Sequence, residues 1–260
     1  SLGPDYVYEG WIMVDGTPLT TGRFTVNANG TLSQNAFEIS SELLMDATKF
    51  ILTIEPNPDP DPNPSAQKLI AGDFNGGSAN LSASTEPAIG DFSNAAGDFF
   101  LRTPTDEPAG SSNNGNDEYG VLFGLPGMPP LASLNLPNLP EGWTYEGWVV
   151  GDSGPLSTGT FNALDLMDEN AGLPSSFGGT EQLGPPLPGE DFFNNAPNGE
   201  SFPLDVRGRQ VVISIEPVPD NSPAPFVLKP LAGMAGMDTA PASYMLSLNL
   251  SSFPTGAVTR

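Results

Sequence analysis

The chain has 260 residues, with 31 acidic against 8 basic side chains, a formal charge of −23, and neither histidine nor cysteine. That balance argues against nucleic acid as a partner, because phosphate binding needs clustered cations, and an anionic membrane surface would repel the chain. The missing residue types exclude a disulfide framework, thiol chemistry, a zinc site and a Ser-His-Asp arrangement.

Glycine (30) and proline (29) are abundant and apolar residues make up 38%, which predicts many turns, short strands and little helix. The aromatic and β-branched residues gather in short alternating runs that can bury a core. No apolar run is long enough to span a bilayer. The sequence opens at Ser1 without an apolar signal segment, which reads as the mature or trimmed form of an exported protein.

In chain order, residues 6–14 alternate with apolar bulk on both faces and predict an interior strand around Trp11. Asp15-Gly16 follows as a turn. Asn27-Ala28-Asn29-Gly30 lies between residues 23–26 and 31–33 as a hairpin signal. Residues 38–47 are the one helix candidate, read as a short helical turn or an irregular connection. Residues 50–55 alternate again. The proline-studded run 56–64 cannot enter a ladder and predicts an exposed, extended loop. Further strands are predicted at 68–71, 79–84, 98–103 and 119–125, with an acidic Asn/Gly-rich loop over 104–118. Leu125-Pro126-Gly127-Met128-Pro129-Pro130 marks a domain boundary. Strands then recur at 134–136, 144–150, 210–216, 226–231 and 244–250, with a Gly/Pro-rich insertion over 162–200.

Three blocks occur twice in the same order. Tyr8-Glu9-Gly10-Trp11 with Pro18-Leu19-Thr20-Thr21-Gly22-Arg23-Phe24 returns as Tyr145-Glu146-Gly147-Trp148 with Pro155-Leu156-Ser157-Thr158-Gly159-Thr160-Phe161. Ile51-Leu52-Thr53-Ile54-Glu55-Pro56 returns as Val212-Ile213-Ser214-Ile215-Glu216-Pro217, and Leu69-Ile70-Ala71-Gly72 returns around Leu231-Ala232-Gly233. The chain is an internal duplication. The expected architecture is all-β: two tandem Ig-like antiparallel β-sandwich domains, 1–130 and 131–260, with long Pro/Gly/Asn-rich loops.

This ordered set of blocks resembles the extracytoplasmic C-terminal domain of RskA-type anti-sigma factors. The resemblance covers roughly residues 6–72 and 143–233 and implies a β-sandwich outside the cytoplasmic membrane. An anti-sigma factor also carries a sigma-binding helical domain and a transmembrane helix, and this sequence has neither. The resemblance therefore implies the module and its location, secreted or at the cell surface, and not the regulatory activity.

Several residues are candidates for chemistry. Glu9 with Glu55, and Glu146 with Glu216, are carboxylate pairs of the kind used in glycoside hydrolysis, but duplicated glutamates at strand ends read better as scaffold. Trp11 and Trp148 read as core, and Trp143 as an exposed ring able to stack on a sugar. Asp106, Glu107, Asp117 and Glu118 are the candidate metal ligands, with calcium as the ion, although no spaced Asp-x-Asp-x-Asp-Gly loop is present. Met245, Leu246, Leu248 and Leu250 alternate as a strand that either pairs within its own domain or joins a neighbouring subunit.

Together these features predict a non-enzymatic extracellular structural protein that self-associates through β-edges as a surface-layer or filament subunit, needing no cofactor and having itself as main partner. The alternatives are a cell-surface module binding carbohydrate or calcium, and a periplasmic sensing domain.

Overall fold

A computed structural model describes residues 2–108, 114–170, 176–220 and 222–260. Residues 109–113 of the expected acidic loop and 171–175 of the expected insertion lie outside the described residues. The fold is all-β, made of two antiparallel sheets. No helix among the described residues is long and apolar enough to cross a membrane.

The first repeat supplies β1 (Tyr6–Val14), β2 (Thr17–Phe24), the helix α1 (Ser41–Asp46), β3 (Lys49–Pro56), β4 (Lys68–Asp73) and β5 (Ser78–Ser82). Asp15 and Gly16, at φ 49° and 75°, form the two-residue hairpin turn between β1 and β2; positive φ at both positions matches the right-handed twist of the strands. β1 is packed on both faces. Trp11 meets Ile51, Ala71 and Ala88 on one side, while Ile12 and Val14 meet Ala47 on the other. Residues 38–47 yield only the six-residue α1, its first turn capped by the Ser40 hydroxyl accepting from the Leu43 amide at 3.4 Å.

Between the repeats lie β6 (Gly97–Phe100) and β7 (Gly120–Phe123). The second repeat supplies β8 (Trp143–Val150), β9 (Pro155–Phe161), β10 (Gly189–Asp191), β11 (Gln210–Pro217), β12 (Leu231–Met234) and β13 (Tyr244–Leu248). The last strand is β14 (Thr255–Thr259). The strand expected over 226–231 starts only at Leu231, opposite Ile213. Pro225 and Pro230 interrupt the preceding run, and the Phe226 amide turns to the Glu216 carboxylate instead of a ladder partner.

The duplication is visible in the topology. The six-stranded sheet runs β14-β5-β4-β3-β1-β2, and the eight-stranded sheet runs β10-β7-β6-β13-β12-β11-β8-β9. Five strands of each repeat, β1 to β5 in the first and β8, β9, β11, β12 and β13 in the second, therefore stand in the same order, and in each sheet a strand from elsewhere in the sequence covers the outer edge of the last of them. That strand is β14 for β5, with Thr255 opposite Ser82 and Thr259 opposite Ser78. It is β6 for β13, with Tyr244 opposite Phe99 and Leu246 opposite Gly97. The eight-stranded sheet curls on itself: the Phe123 ring on β7 lies 6.3 Å from that of Phe161 on β9.

The compact units do not follow the halves 1–130 and 131–260 expected from the repeat. One unit comprises 1–91, 139–143 and 253–260; the other comprises 92–138 and 144–252. Strands β6 and β7, which precede the second repeat, belong to its sheet, and β14, which follows it, belongs to the sheet of the first.

Candidate functional site

The residues that the two repeats share build the same buried relay twice. In β1, Trp11 donates its indole N–H to Thr53 Oγ1 at 2.8 Å, and the Thr53 hydroxyl donates in turn to Glu55 Oε1. In β8, Trp148 donates to Ser214 Oγ at 2.7 Å, and Ser214 donates to Glu216 Oε1. Alternation along β3 and β11 puts the hydroxyl and the carboxylate on one face, two residues apart. The Ser65 amide closes the first relay at 2.9 Å and the Phe226 amide closes the second at 2.8 Å. Bulges after Gly10 and after Gly147 shift the register at the same place. They bring Glu9 to the Thr20 hydroxyl and Glu146 to the Ser157 hydroxyl, each accepting on Oε1.

Around this shared frame one exchange removes a cation. Glu9 stands opposite Arg23 in the β1–β2 register, whereas Glu146 stands opposite Thr160 in β8–β9. The Arg23 guanidinium lies between two carboxylates, with Nε 2.6 Å from Glu9 Oε2 and Nη2 2.7 Å from Asp59 Oδ2. Asp59 is held in place by accepting from the Asp61 amide at 2.9 Å, and Asp220 by accepting from the Ser222 amide at 2.9 Å. The second repeat keeps all three acids and lacks the arginine. Carboxylate oxygens of Glu146, Glu216 and Asp220 lie within 4.8 Å of one another.

Burial dominates the electrostatics of these acids. Glu146 is 6% exposed, and its Oε2 has no hydrogen-bond partner among the described residues. Burial, with repulsion from Glu216 and Asp220, pushes its carboxyl up to about 8. Glu216 is fully buried; burial and Asp220 push it up to about 7, against the pull of the Ser214 hydroxyl and the Phe226 amide. The arrangement can hold a proton or a cation shared among three acids.

The residues expected from sequence fall elsewhere. Asp106 accepts from Asn114 and Asn116 at 2.8 and 2.6 Å. Glu107 pairs with Arg102 at 3.0 Å, Asp117 accepts from the Thr103 amide at 3.3 Å, and Glu118 lies 3.8 Å from Arg207. The three acids that converge are not among these four. Trp143 is 4% exposed, so its ring offers no stacking face. The chain turns at Gly142 (φ 88°) against Ala66, and Trp143 enters β8 as a core residue. Met245, Leu246 and Leu248 lie on β13, whose two edges are taken by β12 and β6; Leu250 lies beyond it in a short 3-10 turn. Asp220 was missed in the sequence. The signal for it is the shared spacing Glu55-Pro56-Asn57-Pro58-Asp59 and Glu216-Pro217-Val218-Pro219-Asp220, read together with the exchange of Arg23 for Thr160.

Comparison with family models, with curated proteins and with solved structures finds no match to this chain.

Proposed function

We propose that the protein is a non-enzymatic structural protein of the cell exterior that self-associates through β-edge contacts, as a surface-layer or filament subunit. The observation that carries this reading is β14. A five-residue strand from the far end of the sequence completes the edge of the first repeat's sheet, with four of its five residues exposed. The strand pairs through its backbone, and the Arg260 side chain beyond it donates to the Gly76 and Ala47 carbonyls at 3.1 and 2.6 Å; neither contact depends on which copy of the chain supplies the segment. Exchange of β14 between copies gives a head-to-tail contact, which propagates as an open polymer when the rotation does not close. The extracellular setting rests on composition and on the resemblance to an extracytoplasmic domain. The structural role is supported by the relay, because both copies use their shared Trp, hydroxyl and Glu residues in the same buried framework.

Light scattering and electron microscopy of the purified full chain over a concentration series test the proposal. Ordered polymers are expected, and they should disappear when residues 253–260 are deleted. A strict monomer at every concentration overturns it.

A further inference from the structure

The two repeats act as each other's control. In the first, Glu9, Glu55 and Asp59 form a buried acidic group in which a cation is supplied by the chain itself, the Arg23 guanidinium bridging Glu9 and Asp59. In the second, the three acids are retained on equivalent elements as Glu146, Glu216 and Asp220, while Thr160 takes the register position of the arginine. Two of these acids are more than nine-tenths buried, and Glu146 Oε2 is left without a partner among the described residues. Lys229 acts on Glu216 but donates to the Phe226 carbonyl at 2.5 Å and forms no ion pair with the three acids among the described residues; keeping buried acids together with so little compensation is costly. The geometry points to a divalent cation, calcium, held by Glu146, Glu216 and Asp220 in the second repeat, where the first repeat uses Arg23.

The donor set selects the ion. The ligands are all oxygens, and the chain has no histidine or cysteine to favour a softer metal. Oxygens on opposite sides of one calcium ion stand about 4.8 Å apart, given Ca–O distances of about 2.4 Å, and the three carboxylates fall within that separation. Magnesium needs a tighter octahedral shell at about 2.1 Å, which is less suited to two strand residues and one loop residue. Glu146 and Glu216 are fixed by the hydroxyls of Ser157 and Ser214. Asp220 comes from a proline-flanked loop and is held by its own turn, so it can adjust as an ion enters.

The test uses the full chain, stripped with a chelator and titrated with calcium chloride by calorimetry, with thermal melting in parallel. Saturable binding of one ion per chain and an upward shift of Tm are expected. Thr160→Arg, which installs the first repeat's cation in the second, should lose both the binding and the calcium-dependent shift while keeping the β-rich circular dichroism of the parent. Glu146→Gln, which removes one ligand charge at nearly constant shape, should weaken binding at least about ten-fold, the effect of losing about 1.4 kcal/mol. The inference is overturned if the parent binds no calcium, if magnesium binds as tightly, or if both variants bind as the parent does.

Discussion

Arg23 bridges two carboxylates that are almost fully buried, and its own side chain is 39% exposed. Removing one partner of a buried pair costs about 3–5 kcal/mol; water can reach this arginine, so Arg23→Ala is expected to cost about 1–3 kcal/mol in urea denaturation. Arg23→Lys should recover only part of that, because a single ammonium cannot span Glu9 and Asp59 as the guanidinium fork does. Asp191 offers a pH test. It is 1% exposed and accepts from the Thr105 amide at 2.8 Å and the Thr105 hydroxyl at 2.5 Å, yet burial pushes its carboxyl from 3.8 up to about 7. A folded-state value above the unfolded one contributes stability that is fully present below the unfolded value and is lost as pH rises through about 7. Asp191→Asn should therefore flatten the fall of Tm between about pH 4 and pH 7, as followed by calorimetry. At this scale the sequence exposed Glu146 and Glu216 as a repeated pair but not the convergence of Asp220. The shared Glu-Pro-x-Pro-Asp spacing marks the position, but the convergence itself depends on how the loop folds back over the sheet. Trp143 looked exposed because it follows Pro140-Glu141-Gly142, and it is buried because the turn at Gly142 carries it into β8.

Strands with alternating bulk, such as β1, β3 and β11, were legible from period and side-chain type. β14 was not, because Thr255-Gly256-Ala257-Val258-Thr259 is small and nearly featureless, and its pairing with β5 is decided far away in sequence. β6 and β7 were legible as strands, but their membership of the second repeat's sheet was not, since sheet order is set by tertiary packing. A chain ending at Ser252 should bind a synthetic peptide of residues 253–260. The same peptide with proline at both Ala257 and Val258 should not bind, because one of two successive strand amides faces the partner; fluorescence anisotropy measures both, and equal binding of the two peptides would contradict backbone pairing at this edge. The contact between β4 and β5 is close at Gly72, where an added Cβ would lie 2.1 Å from the Asn80 carbonyl oxygen. Gly72→Ala should force the strands apart and cost about 1–3 kcal/mol, read from the midpoint of urea unfolding.

The repeat in the sequence is preserved in strand order, but the chain visits its two compact units alternately, leaving the first at residue 91, returning at 139–143 and returning again at 253–260. Cutting at the linker expected from sequence, between residues 130 and 131, therefore separates β13 from β6 and β10 from β7. The fragment 131–260 should lack the dispersed amide spectrum of the whole chain and regain it on mixing with 1–130; full dispersion of the isolated fragment would contradict this. The strands nearest the two ends of the sequence, β1 and β14, lie in one six-stranded sheet. A stretching force applied through residues 6 and 259 would load that sheet first and leave the other mechanically shielded until β14 or β1 tears away.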